Sequence, residues 1–112
     1  MATPTRDDAL LMVQLARWGT ELGIEGAIAQ ILSDDFDPND ADVLTDPPVR
    51  SILMYGESIG TLTKNNLLSN ELVQDWIWVN GLWARVGPAA RKQRDKYGEP
   101  KLWENFEALA KG

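Results

Sequence analysis

The chain has 112 residues, 44% hydrophobic and 25% charged, which fits one domain built on one core and leaves no room for two substantial ones. It contains no cysteine and no histidine, so disulfides, thiol nucleophiles, Ser–His–Asp arrangements and the commonest metal ligands are excluded from the outset. The net charge of −6 is uneven: residues 1–56 carry ten acids and three bases, residues 57–112 seven acids and eight bases, so the front half repels a phosphate backbone and nucleic acid is not an expected partner.

Thr5, with Asp7 and Asp8 behind it, reads as a helix start, since the hydroxyl can cap and both acids favour the positive end of the helix. Leu11, Leu15, Trp18 and Leu22 then follow one helical face. Glycine costs about 1 kcal/mol relative to alanine inside a helix, so a break is expected near Gly19, with Thr20 capping a second helix through 24-IEGAIAQIL-32.

Residues 34–48, DDFDPNDADVLTDPP, hold six aspartates and three prolines without a usable period, and form the expected acidic loop. Aligned as a calcium-binding loop from Asp35, they place Asp37 and Asn39 at ligand positions, but Asp40 stands where the tight turn needs glycine and Asp46 where a longer glutamate is needed. No metal site is expected there.

Asp46 followed by Pro47 starts a third helix from about 48 to 64, with Ile52, Tyr55, Ile59 and Leu62 on one face. The segment 56-GESIG-60 lacks the lysine and the preceding strand of a phosphate loop, and its glycines instead suit a close helix approach. Asn65-Asn66 makes a turn, and Ser69 caps a fourth helix expected over roughly 69–96, kinked near Gly87-Pro88. Its bases, 91-RKQRDK-96, read as a solvated helix flank. Gly98 closes that helix and Pro100 begins a last short one carrying Leu102, Trp103, Phe106 and Leu109. The expected fold is therefore all-α, a single domain over 1–112, a compact bundle of four to five helices.

Two residues stand out. Glu57 lies between Tyr55 and Ile59, close to the expected core face of the third helix, where a buried carboxylate needs a partner, and an arginine at 85, 91 or 94 could supply one. Trp78, two residues from Trp76, points away from the apolar stripe and is the aromatic best placed for a partner surface, whereas Trp18, Trp76, Trp83 and Trp103 suit the core. Carboxylates one turn apart, Glu21 with Glu25 and Glu71 with Asp75, lack the histidines of a di-iron bundle. No catalytic residue, cofactor or metal is expected.

Three segments carry a resemblance: 55-YGESIG-60, 83-WARVGPAARKQR-94 and 103-WENFEAL-109. In this order, within residues 49–110, they resemble the DUF4760 family of helical domains, in which phenylalanine followed directly by glutamate often stands where this chain has Tyr55-Gly56-Glu57. The resemblance implies a compact helical domain, placed behind a membrane helix in some relatives, with structural roles for Glu57 and Arg94 and no activity to transfer. No membrane helix is expected here, and the cytoplasm is the default location. The expected role is a non-catalytic interaction or assembly domain, self-associating or bound to a protein partner. The alternative is a small-ligand-binding or sensory bundle with an apolar pocket near Tyr55, Glu57, Trp83 and Arg94.

Overall fold

The computed structural model describes residues 3–112, and these fold into six helices with no strands. In chain order they are α1 (Arg6–Leu22), α2 (Ile24–Ile31), α3 (Pro47–Lys64), α4 (Asn70–Trp76), α5 (Val79–Tyr97) and α6 (Glu104–Ala110). None of them is long and apolar enough to cross a membrane.

The start of α1 is a reciprocal cap: the Asp8 amide donates to Thr5 Oγ1 at 3.2 Å and the Thr5 amide donates to Asp8 Oδ2 at 2.7 Å. Asp8 Oδ1 also accepts the Ser69 amide at 3.0 Å, which ties the start of α1 to the start of α4. The expected break near Gly19 is not there. The helix runs on to Leu22 and turns at Gly23, whose φ of 70° lies in the left-handed region that glycine enters cheaply. Gly19 is kept in the helix by packing, since a β-carbon there would sit 2.9 Å from Tyr55 Oη. Thr20 does not cap α2; its hydroxyl donates to the Ala16 carbonyl one turn back.

The acidic loop is pinned from α5. Lys92 Nζ donates to the carbonyls of Asn39 and Ala41, and Arg85 Nη1 to that of Phe36 at 3.4 Å. Part of the basic run is thus used internally. The loop aspartates serve the backbone as well: Asp37 accepts from Asn39, Asp42 from Leu44, and Asp46 Oδ2 from Asp42. Asp46 occupies the N-cap position of α3 with Pro47 behind it, but its carboxylate closes the loop and makes no cap bond. Among the described residues no group of carboxylates converges as a metal site would require.

The central helix is α3, which buries Val49, Ile52, Leu53, Tyr55 and Ile59. Gly56 and Gly60 let α6 lie directly on it. A β-carbon on Gly56 would meet the Phe106 ring at 2.6 Å, and one on Gly60 would strike the Asn105 carbonyl.

Two further expectations are corrected. The fourth helix is not one helix but two, because the chain becomes extended at Ile77 (φ −124°, ψ 136°). Trp78 (φ −78°, ψ 72°) then forms an inverse γ-turn in which the Val79 amide donates to Ile77 O at 2.9 Å. Val73 and Val79, on either side of the break, are 0% and 2% exposed, so both short segments are packed into the core.

Pro88 lies inside a continuous helix, and α5 runs from Val79 to Tyr97. The carbonyl four residues earlier belongs to Ala84, which is exposed and can turn to water, while Val86, Gly87, Ala89 and Ala90 hold both halves against the core. The α5 helix ends at Gly98 in the left-handed conformation, as the sequence predicts. The last helix begins at Glu104 rather than Pro100, behind Trp103 at φ 62°.

Candidate functional site: an apolar cleft beside Tyr55

The five residues singled out in the sequence fall into two places. Glu57, Trp83 and Arg94 surround α6. Glu57 Oε1 accepts the amides of Asn105 and Phe106, each at 3.0 Å, and so caps the start of α6 from a neighbouring helix. The expected ion pair between Glu57 and an arginine is absent: among the described residues the ion pairs are Arg94 with Glu107 and Lys111 with Glu107. Orphan amides at a helix start are donors already facing the carboxylate, which leaves it nothing to gain from a guanidinium. Arg94 instead donates from Nε to the Leu102 carbonyl at 2.7 Å, lies 5.8 Å from the centre of the Trp83 ring, and brings Nη2 within 3.0 Å of Glu107 Oε1, although that contact lacks the direction of a hydrogen bond. Trp83 meets Phe106 edge to face, with ring centres 5.2 Å apart. Trp103 Nε1 donates to Gln93 Oε1 at 2.6 Å and adds a further tie from α5 to the turn before α6.

Burial works to raise the Glu107 carboxyl, but the contact with Arg94 and the charges of Arg94, Lys111 and Arg91 together outweigh it and hold the group below its ordinary value. At the start of α1 the Thr5 amide is the main cause of a lowered Asp8. Desolvation opposes it, and the Thr5 hydroxyl and Ser69 amide reinforce it.

Tyr55 and Trp78 belong elsewhere. They line a cleft of about 550 Å³ whose walls come from α1, α2, α3, the end of α4, the link between α4 and α5, the first turn of α5, and α6. Its walls are mainly apolar: Ile24, Ile28, Ile52, Ile59, Leu82 and Phe106 line it, with Trp76 from the end of α4 and Ile77 and Trp78 from the link. Glu57, Trp83 and Arg94 line no part of it. Tyr55 is 7% exposed and donates its hydroxyl to the Leu15 carbonyl, with Trp18 packed against it at 5.3 Å between ring centres. Desolvation pushes its phenol above the ordinary value, so the ring enters the cleft as a neutral wall with its one donor already used.

Trp78 is 66% exposed, and its ring covers the position where a β-carbon on Gly81 would stand. The γ-turn that interrupts the helix therefore sets a large indole at the cleft. Sequence reasoning placed Trp78 on a surface but missed Trp76, Ile77 and Glu25 as cleft residues. The β-branched and aromatic run 76-WIWV-79, poor in helix formers, was the signal available for the break.

These observations define a class: an all-helical domain with polar ties around the start of its last helix and an apolar cleft beside Tyr55. The model of the family described as a domain of unknown function, DUF4760, matches residues 9–112. The chain belongs to that family, and the match reaches well before the segments at 49–110 that carry the resemblance in the sequence. No curated protein and no solved structure gives a significant match.

Proposed function

We propose that this domain is a non-catalytic binding module that takes an apolar small molecule into the cleft beside Tyr55. The observation that supports this is the cleft itself. At about 550 Å³ it lies within the range of small-molecule sites, roughly 300–1,000 Å³, and like them it has mostly apolar walls with few polar groups. Its position differs from the one expected in the sequence, with Tyr55 common to both. The acid–base groups that catalysis would need are missing from the walls, where the Tyr55 hydroxyl is engaged and the remaining ionisable side chain is Glu25.

The test is uptake of a neutral apolar dye such as Nile red, followed by its emission. Ile28→Trp, which pushes a larger side chain into the cleft, should reduce the signal at least severalfold while circular dichroism stays helical. Equal uptake by both proteins would reject the cleft as the binding site.

Self-association is the second reading, favoured by Leu10 and Val13, which stand 58% and 54% exposed one turn apart on α1. Native mass spectrometry at micromolar protein tests it: a mass of 12.5 kDa throughout would remove it, and a dimer lost in Leu10→Glu would support it.

A further inference from the structure

We infer that the cleft selects a cationic amphiphile, a molecule with an apolar body and a positively charged amine or quaternary ammonium head; this rests on the binding role proposed above and adds the chemistry of the ligand. Of the residues that line the cleft, Glu25 alone carries a full charge at neutral pH, and no lysine or arginine is among them. Its side chain is exposed and takes part in neither of the ion pairs among the described residues, so the carboxylate stands at the rim with its charge unspent. Trp76 and Trp78 line the same cleft, Trp78 being two-thirds exposed. Indole faces are the best aromatic partners for a cation, so rim and wall favour the same sign of charge. The front half of the chain, from which Glu25 comes, carries ten acids against three bases and adds a field in the same direction.

One feature pulls the other way. Glu25 lies in the first turn of α2, and a helix start holds a partial positive charge that would suit a carboxylate or phosphate head. That partial charge amounts to about half an elementary charge, less than the full negative charge of Glu25 beside it, so the net sign at the rim is negative. The apolar walls then take the body of the ligand, and Glu25 with the indoles takes its head.

The experiment compares three ligands of equal chain length below their micellar concentrations: octyltrimethylammonium, octanol and octanoate. Binding is measured by calorimetry and by tryptophan emission at low ionic strength. The proteins are the unaltered chain, Glu25→Gln, Glu21→Gln and the cleft-filling Ile28→Trp. Glu21 is exposed and does not line the cleft, so its variant makes the same change in net charge away from the site. The expected result is octyltrimethylammonium over octanol by about fivefold, octanoate weakest, with the preference lost in Glu25→Gln, kept in Glu21→Gln and reduced by salt.

Equal binding of the cation and the alcohol, tightest binding of octanoate, or equal loss of preference in the two glutamate variants would overturn the assignment of charge while leaving an apolar cleft. If all three ligands bind Ile28→Trp as well as the unaltered chain, the cleft reading itself falls. Helical circular dichroism in each variant keeps these outcomes readable, and Glu25, being exposed, can be replaced without opening the core.

Discussion

The surroundings of Glu57 and the cleft beside Tyr55 treat space in opposite ways. Around the start of α6, Gly60 brings backbones together and the charged groups find internal partners: Glu57 takes two amides and Arg94 takes a carbonyl, an aromatic face and a carboxylate, while Gly56 and Phe106 stand between the two regions and also line the cleft. On the cleft side the walls are apolar, the helix breaks at Ile77 and Trp78, and one carboxylate is left at the rim. A polar group that has been satisfied internally has little left to offer a ligand, whereas apolar walls around open space keep their capacity to bind. Polar residues near the centre of a small helical domain are thus a poor guide to its site, and the unfilled volume next to them is a better one.

The largest test of this contrast is truncation at a fully packed position and at an open one. Phe106→Ala removes a ring packed against Gly56 and Trp83 and should cost about 3–5 kcal/mol, a large part of the stability of a domain this size. Ile28→Ala, at a half-buried wall of the cleft, should cost about 1 kcal/mol, because part of its surface already faces open space. Urea unfolding at constant m-value measures both. Equal losses would show that the cleft wall at Ile28 is packed as tightly as the wall at Phe106.

A smaller effect is expected from the cap. Glu57→Ala leaves the Asn105 and Phe106 amides without their acceptor and should cost about 2 kcal/mol. Glu57→Gln keeps an oxygen in place and should lose about half as much, since the charge reinforces the bonds but does not create them. If both variants lose the same, charge rather than the acceptor holds α6; if neither shifts the midpoint, α6 is held by its apolar contacts alone.

Much of the fold was legible in the sequence because periodicity and capping are local. Thr5 and Ser69 cap as their positions suggest, Gly98 ends α5, and the glycines at 56 and 60 do admit a second helix. What was not legible depends on partners distant in sequence. Gly19 stays helical because Tyr55, 36 residues on, fills the space beside it; Glu57 finds amides 48 and 49 residues away; Lys92 reaches carbonyls more than 50 residues back. The break at Ile77 was half legible, in the run of tryptophans and β-branched residues, but its place depended on a core packed on both of its sides, at Val73 and Val79. The cleft was the least legible of all, because no single residue encodes a space lined by all six helices.

Acid separates the ties of α1 and α6 by the smallest but most specific effect. Glu107, beside α5, and Asp8, at the start of α1, both titrate below their ordinary values of 4.5 and 3.8. For a carboxyl lowered by folding, the stabilisation is complete above the unfolded value and is lost as the pH falls through the folded one. The loss from Glu107 should therefore begin near pH 4.5 and that from Asp8 near pH 3.8, each ending below its own folded value. Subtracting the stability of Glu107→Gln, or of Asp8→Asn, from that of the unaltered chain across this range isolates each contribution, and the Asp8 difference should fade at the lower pH. Their causes also differ. Glu107 owes its lowering to Arg94 and to the charges of Lys111 and Arg91 against the cost of burial, whereas Asp8 is held mainly by the Thr5 amide. Added salt screens charges between partly exposed groups far more than it weakens a direct hydrogen bond, so 0.5 M sodium chloride should shrink the Glu107 difference and leave most of the Asp8 difference in place. Equal salt sensitivity at the two sites would mean that α1 is anchored by charge as α6 is, and that the polar ties of the two are not of different kinds.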